Sequence, residues 1–363
     1  MASIHLLKKI DKYLGRFICS VLPSPRNVQF GSVGKVLIVR PGGIGDAVHL
    51  IPAIKALKEK YPDAVVDILA EKRNCQVFDL CPEINAVHVY DQPSGLMNIF
   101  RQSWDLVIDT EQWHLLSAVV ARLARSSWKI GFDTNERRRM FTHPVHYRHD
   151  CYEVDSFLVL LKPLGVDSGF NYQESFLTLP ASSRQAAKAQ LSQLHDKTII
   201  AIFPGASIAE RRWGASKFHA LAKSIAEKGY LVVVIGGPED KAPGDRIVGS
   251  LPNALNLAGS CTLVESAAII SCSRLLVSGD SGVLHIGVGL GKPTVSLFGP
   301  GNAKKWAPRG DRHRVLEKQI ACSPCTKFGY TPKCHIGVKC MREITVNEVF
   351  TAAMELLQQE EAS

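Results

Sequence analysis

Short apolar runs alternate along this chain with longer stretches whose apolar positions recur every three or four residues. "KVLIVR" (35–40) reads as a buried strand, and the residues from about Asp46 to Lys60 read as a helix closed by "YPDA". "VVDILA" (65–70), "AVHVYD" (86–91) and "DLVIDT" (105–110) predict further strands, with helical stretches over Cys75–Leu80 and 114–125 between and after them. From Asn171 to about Lys197 the pattern loosens, and then the alternation restarts. "TIIAIFPG" (198–205), "YLVVVIGGP" (230–238), "RLLVSGDSG" (274–282) and "PTVSLFGP" (293–300) predict strands, the last of these closing the series. "SKFHALAKSIAEKG", "VESAAIISCS" and "VLHIGVGLG" predict the helices between them.

Strand–helix alternation of this kind predicts parallel sheets covered on both faces. The expected fold class is therefore α/β, with two Rossmann-like doubly wound domains facing across a cleft and ligands bound at the carboxyl ends of the strands. The expected boundaries are an N-terminal amphipathic helix (1–30), a first Rossmann-like domain (31–175), a linker (176–197), a second Rossmann-like domain (198–345) and a C-terminal helix (346–363). No low-complexity tract or solenoid period is present.

At the N-terminus, Leu6, Leu7, Ile10, Leu14, Phe17, Ile18 and Val21 recur at helical spacing among basic residues. Lys8, Lys9, Asp11, Lys12 and Arg16 interrupt any secretory apolar core, which argues against a signal peptide and for a cytoplasmic, peripheral protein. Two readings stay open: a helix lying on an anionic membrane surface, or one packed on the protein's own body. The 363 residues suit two domains, and the 46% hydrophobic content suits a sizeable core. No stretch reaches the ~18 uninterrupted apolar residues of a membrane span. A formal net charge of +9 favours an anionic partner without choosing among nucleotide, lipid and acidic sugar. No nucleic-acid-binding motif accompanies the charge, so nucleic acid is not expected.

Four motifs carry candidate chemistry. In "RPGGIGDAVH" (40–49) the third glycine of a dinucleotide fingerprint is missing, and no P-loop lysine is present. Gly43 and Gly45 permit close approach to the backbone, while Asp46 is either a helix N-cap or a general base opening towards a cleft. In "VSGDSGVLH" (277–285), Asp280, Ser281, Gly282 and His285 stand where a strand passes into a helix whose N-terminus suits a diphosphate. "FPGASIAERRW" (203–213) places Ser207, Arg211 and Arg212, with Lys217 shortly after, at another strand end, where they could neutralise a leaving diphosphate. Trp213 reads as a packing anchor. "GGPED" (236–240) offers Glu239 and Asp240 to ribose hydroxyls.

Together with "DLVIDTEQWHLLSAVVARL" (105–123) and the continuation "GVGLGKPTVSLFGP" (287–300), these stretches resemble glycosyltransferase family 9, the ADP-heptose:lipopolysaccharide heptosyltransferases, over roughly Val36 to Val349. The resemblance implies a GT-B fold and inverting transfer of a heptose from an ADP-heptose to a lipopolysaccharide inner-core acceptor, with no cofactor or metal ion needed for the chemistry. It implies Asp46 as general base, with Asp280, Ser281, Gly282 and His285 as anion contacts. Arg211 stands where relatives carry a lysine, and Ala206 stands where some carry a hydroxyl, so another nucleotide sugar, another acceptor or loss of catalysis remain alternatives. The basic segment 135–150, with Arg137, Arg138 and Arg139, lies in the domain that binds acceptors in this fold and suits an acidic glycolipid. Finally, Cys322, Cys325, Cys334 and Cys340 form C-x2-C-x8-C-x5-C, which is compatible with a structural zinc site or with free thiols or disulfides.

Overall fold

The computed structural model describes residues 10–26, 31–167, 169–191, 197–327 and 329–362. The chain divides into two compact units, Met1–Phe170 and Asn171–Ser363.

The first unit holds β1 (Lys35–Arg40), β2 (Val65–Ala70), β3 (Ala86–Val89), β4 (Leu106–Asp109), β5 (Trp128–Phe132) and β6 (His143–Val145). All pair in parallel in the order β3-β2-β1-β4-β5-β6. β1 lies at the centre, and Val36 to Arg40 are all buried, as expected of a strand covered on both faces. The second unit holds β7 (Ile199–Phe203), β8 (Leu231–Val234), β9 (Ala254–Asn256), β10 (Leu275–Gly279), β11 (Thr294–Phe298) and β12 (His313–Glu317), again parallel, in the order β12-β11-β10-β7-β8-β9. Counted from its own first strand, this is the same 3-2-1-4-5-6 winding, with the direction of progression reversing between β1 and β4 and between β7 and β10. Ligands collect at the carboxyl ends of the strands flanking such a reversal.

Three features depart from the sequence-based expectation. The short strands β5, β6, β9 and β12 are additional to it; β12 is half-buried along most of its length and lacks the apolar run that marks the central strands. The stretch expected as a linker contains helix Ala181–Leu191, which packs on helix Leu263–Cys272. The C-terminal helix expected over 346–363, apart from the second domain, is present as Val346–Ala362, with Val349, Ala353, Leu356 and Leu357 buried in the core of the second unit. Trp213 is a packing anchor as expected: it is buried, meets the Phe218 ring edge-on and donates Nε1–H to the Ile344 carbonyl at 2.9 Å.

Residues 1–9 lie outside the described residues, Leu6 and Leu7 of the N-terminal stripe among them. The chain is helical from Asp11 to Val21. The Asp11 carboxylate accepts from the Leu115 N–H (2.9 Å) and the Leu116 N–H (2.8 Å), the otherwise unsatisfied donors at the start of helix Leu115–Leu123. It thus serves as that helix's cap from 104 residues away. Burial works against ionisation of Asp11, but His114 and these N–H groups hold its carboxyl below the usual range. Asp11→Ala should therefore destabilise the first unit by about 1 kcal/mol, the typical cost of a lost cap. Urea denaturation of the variant should show a lower midpoint.

Candidate active site

In the first unit, β1 delivers Arg40 to the centre of the sheet's carboxyl edge. The chain turns at Gly42, whose φ of 109° is open to glycine and strained for other residues, and helix Ile44–Lys60 begins after Gly43. Asp46 is the third residue of that helix, and Gly43 occupies the N-cap position for which the sequence offers the aspartate as a candidate. A Cβ on Gly42 would stand 3.0 Å from Arg40 Nη2, and one on Gly43 would stand 3.4 Å from Asp46 Oδ2. The bare backbone of the loop thus lies against a guanidinium on one side and a carboxylate on the other.

Arg40 is 1% exposed and fully engaged. Its Nε donates to the Pro41 carbonyl (2.6 Å), Nη1 to the Thr110 carbonyl (2.9 Å) and Nη2 to Glu111 Oε2 (3.0 Å). Burial pushes the Glu111 carboxyl up, but Arg40, His114 and Arg137 outweigh it and hold the group below its ordinary value. Beside it, Asp109 at the end of β4 accepts from Arg137 Nη2 (2.5 Å) and Ser117 Oγ (3.0 Å). Complete burial raises Asp109 despite Arg137. Glu153 accepts from Tyr147 Oη at 3.1 Å and from Gln112 Nε2. The Tyr147 phenol is pushed far up by burial and by the negative charges of Glu153 and Asp46, so it stays a neutral donor. Sequence reasoning missed Arg40, Asp109, Glu111 and Glu153 as site residues. For Arg40, Asp109 and Glu111 the available signal was charged residues at the carboxyl ends of two apolar strands, in "KVLIVR" and "DLVIDTE".

Arg137, expected to meet an acceptor, is fully buried beneath the sheet edge as the counter-charge of Asp109. A buried carboxylate needs a cation, and that need has claimed this side chain. Arg138 and Arg139 remain exposed. An open pocket nearby is bordered by Tyr147 together with His146, Arg148 and His149, and by Asp133 and Asp150.

In the second unit, the turn after β7 carries Ser207, which is exposed, and Arg211, whose Nη1 lies 3.0 Å from Asp280 Oδ2 at the end of β10. The carboxylate is seated against backbone: a Cβ on Gly301 would fall 2.1 Å from Asp280 Oδ2. Ser281 caps helix Gly282–Gly289, its hydroxyl accepting from the Leu284 N–H at 3.3 Å. His285 is buried, and burial together with the nearby Arg211 charge lowers its pKa to about 3, so the imidazole is neutral near neutrality. Asp280, Ser281, Gly282, His285 and Arg211 are therefore brought together.

The two acids after β8 part company. Asp240 is 5% exposed, accepts from the Gly237 N–H at 3.1 Å and fills the space beside Gly205 and Gly236, where a Cβ would come within 2.3 and 2.6 Å of its carboxylate. Burial raises its pKa. Glu239 is exposed. Lys217 is not near the anion site: its ammonium donates to the Arg342 (2.5 Å) and Ile344 (2.8 Å) carbonyls and closes helix Lys339–Arg342. Arg212 likewise spends its Nε on the Ala206 carbonyl at 3.0 Å.

The zinc expectation is not supported. Among the described residues no group of three or more His, Cys, Asp or Glu side chains is gathered as a metal site. Cys340 is buried in the apolar core with Met341 and Ile344, and burial raises its thiol. Cys322 is exposed in a turn, and Cys334 Sγ accepts from the Val338 N–H at 3.2 Å.

Comparison with known proteins bears on the family and the fold. The family described as "Glycosyltransferase family 9 (heptosyltransferase)" matches residues 97–335. Lipopolysaccharide heptosyltransferase 3 of Escherichia coli is 30% identical over 287 residues, which span 73% of this chain and 83% of that protein. The glycosyl transferase family 9 structure from Veillonella parvula superposes with a TM-score of 0.78 at 22% identity, over 92% of this chain and 100% of that one. The E. coli heptosyltransferase WaaC with ADP-2-deoxy-2-fluoro heptose gives 0.68 at 20% identity, over 88% and 99%. The two doubly wound sheets thus have the GT-B type of fold.

The buried charges lead to two tests. Glu111→Gln leaves the Arg40 guanidinium buried without its counter-ion and should cost ~3–5 kcal/mol, whereas the double variant Arg40→Met/Glu111→Leu should recover most of that stability. Denaturation midpoints of the two variants decide it. The native chain protonates His285 only near pH 3, while an unfolded chain takes up that proton near the ordinary value of 6.5. Acidification from pH 7 to pH 5 should therefore destabilise the protein, and His285→Gln should lessen that loss in paired urea titrations.

Proposed function

Because the chain belongs to glycosyltransferase family 9, the heptosyltransferases, we propose that it transfers a heptose from an ADP-heptose to an acidic lipopolysaccharide inner-core acceptor. In this reading the transfer inverts the anomeric carbon and needs no metal ion or cofactor. The observation that supports it is that each unit gathers charged residues at the winding reversal of its own sheet. One has a carboxylate, Asp46, in the first turn of the helix that follows the glycine-rich loop. The other presents a capped helix N-terminus with a guanidinium beside it.

The acceptor hydroxyl gives its proton to Asp46 as its oxygen bonds to the anomeric carbon. The bond from that carbon to the diphosphate oxygen breaks, and its electron pair leaves with ADP. The N–H groups that open helix Gly282–Gly289 and the charge of Arg211 stabilise the departing diphosphate, with the Ser207 hydroxyl at hand. Neutral His285 shapes the floor of this site. Glu239 is the acid for the ribose hydroxyls, since Asp240 is enclosed among glycines. Gly43 and Gly45 leave room for the sugars, and Arg138 and Arg139 offer positive charge to the acidic acceptor. Such an acceptor is anchored in a membrane, which fits a protein working at its cytoplasmic face. Among the described residues no helix is long and apolar enough to cross that membrane.

Asp46→Asn should lower turnover ~10²–10⁴-fold, the usual contribution of a general base, while ADP binding stays within about twofold of the wild type. Single-turnover transfer and calorimetry measure the two; turnover close to wild type would remove Asp46 from the mechanism. ADP-sugars should raise the melting temperature more than UDP- or GDP-sugars, and the reverse order would favour a family member with another donor.

A further inference from the structure

We propose that the outward face of helical segment 11–21 docks on a membrane surface rich in anionic lipid headgroups. This goes beyond the transfer reaction and does not depend on the donor or acceptor assigned above.

The inner face of the segment is fixed by contacts that leave little freedom of rotation. Gly15 lies so close to the first turn of helix Leu115–Leu123 that a Cβ there would stand 2.7 Å from Leu115 Cβ. Cys19 is fully buried in the cluster formed by Leu37, Val107, Ala118 and their neighbours, with Ile18 and Leu22 packed against it. The Asp11 carboxylate caps the neighbouring helix at one end of the segment. At the other end Arg139 donates to the Ser20 carbonyl (3.2 Å) and Arg122 to the Pro23 carbonyl (3.1 Å).

With that face committed, the opposite one must point outward. Tyr13, Leu14, Phe17 and Val21 fit the i, i+1, i+4, i+8 spacing of a single helical stripe, and they are 69%, 48%, 63% and 65% exposed. The apolar residues of the N-terminal helix therefore divide into two sets. One set packs on the body, and the other forms a contiguous apolar strip of two aromatic and two aliphatic side chains.

The surroundings of the strip select its partner. Lys12, Arg16, Arg138 and Arg139 are all exposed on this segment and on the turn Glu136–Met140 packed against it. Of the acidic side chains here, Glu136 pairs with Arg16 at 2.9 Å and Asp11 is taken up by the Leu115 and Leu116 N–H groups. Apolar and aromatic side chains flanked by lysine and arginine suit the headgroup–acyl boundary of an anionic bilayer, where the rings enter the boundary and the cations meet phosphate. A second copy of this face would instead bring two basic borders together.

Flotation of the full chain with vesicles tests the proposal. Binding to phosphatidylglycerol–phosphatidylcholine vesicles should exceed binding to pure phosphatidylcholine by roughly tenfold or more, and should weaken with added salt. Leu14→Ser/Phe17→Ser should reduce binding to the anionic vesicles by roughly tenfold or more, with an unchanged melting curve because both positions are exposed. Lys12→Gln and Arg138→Gln should each weaken it by about fivefold. Three outcomes would overturn the idea: no binding by the wild type, full binding by the serine variant, or a dimer in light scattering that Leu14→Ser/Phe17→Ser converts to a monomer.

Discussion

A guanidinium shut away from water has to be answered by oxygens of the protein itself, and Arg40 is the point at which this chain meets that requirement. Its three donors reach a carbonyl of its own turn, a carbonyl beyond β4 and the Glu111 carboxylate. Those bonds tie the end of β1 to the end of its neighbour across the winding reversal. They also set the course of the chain through Gly42 and Gly43, and hence where the first turn of the next helix presents Asp46. Ion pairs this deep are seldom a net gain in stability, so what Arg40 and Glu111 contribute is a single conformation for the loop.

The second unit repeats the winding and solves the same problem with the charges exchanged between strands. In the first unit the arginine ends the central strand and the acid comes just after its neighbour across the reversal. In the second, Arg211 lies in the turn after the central strand β7, and Asp280 directly follows the neighbour β10. Each reversal therefore has one buried or nearly buried salt bridge linking two strand ends, with glycine backbone pressed against it. The difference lies in what stands beside the pair: Asp46 in the first turn of helix Ile44–Lys60 in one unit, and the capped N-terminus of helix Gly282–Gly289 in the other.

Glycine serves these sites through space as much as through torsion. Gly301 leaves room for the Asp280 carboxylate, Gly205 and Gly236 for that of Asp240, and Gly15 for the Leu115 side chain. In each case a polar group or a neighbouring helix occupies the volume that a Cβ would take. The N-terminal segment shows the outcome of such an approach: once Gly15 and Cys19 are seated, helix geometry dictates the placing of Tyr13, Leu14, Phe17 and Val21.

Much of the plan was legible in the residues alone. Central parallel strands are buried on both faces and so read as unbroken apolar runs, and their carboxyl ends mark where Asp46 and Asp280 would lie. The strands β5, β6, β9 and β12 were not legible: β6 and β9 have three residues each, β12 is half-buried, and Lys129 and Gly131 interrupt the apolar run of the inner strand β5. Neither were the fates of individual charges. Arg137, Lys217 and Asp240 look in the sequence like ligand contacts, but they are spent on Asp109, on helix-end carbonyls and on the Gly237 N–H. Four closely spaced cysteines were compatible with a structural metal or with free thiols or disulfides, and among the described residues no metal-holding group is gathered. Periodicity determined the elements and their order, since it reflects one-dimensional burial. Which cation meets which carboxylate, and which side of the first helix faces outward, were decided by tertiary packing, because those pairings join residues far apart in the chain that only the closed sheet brings within reach.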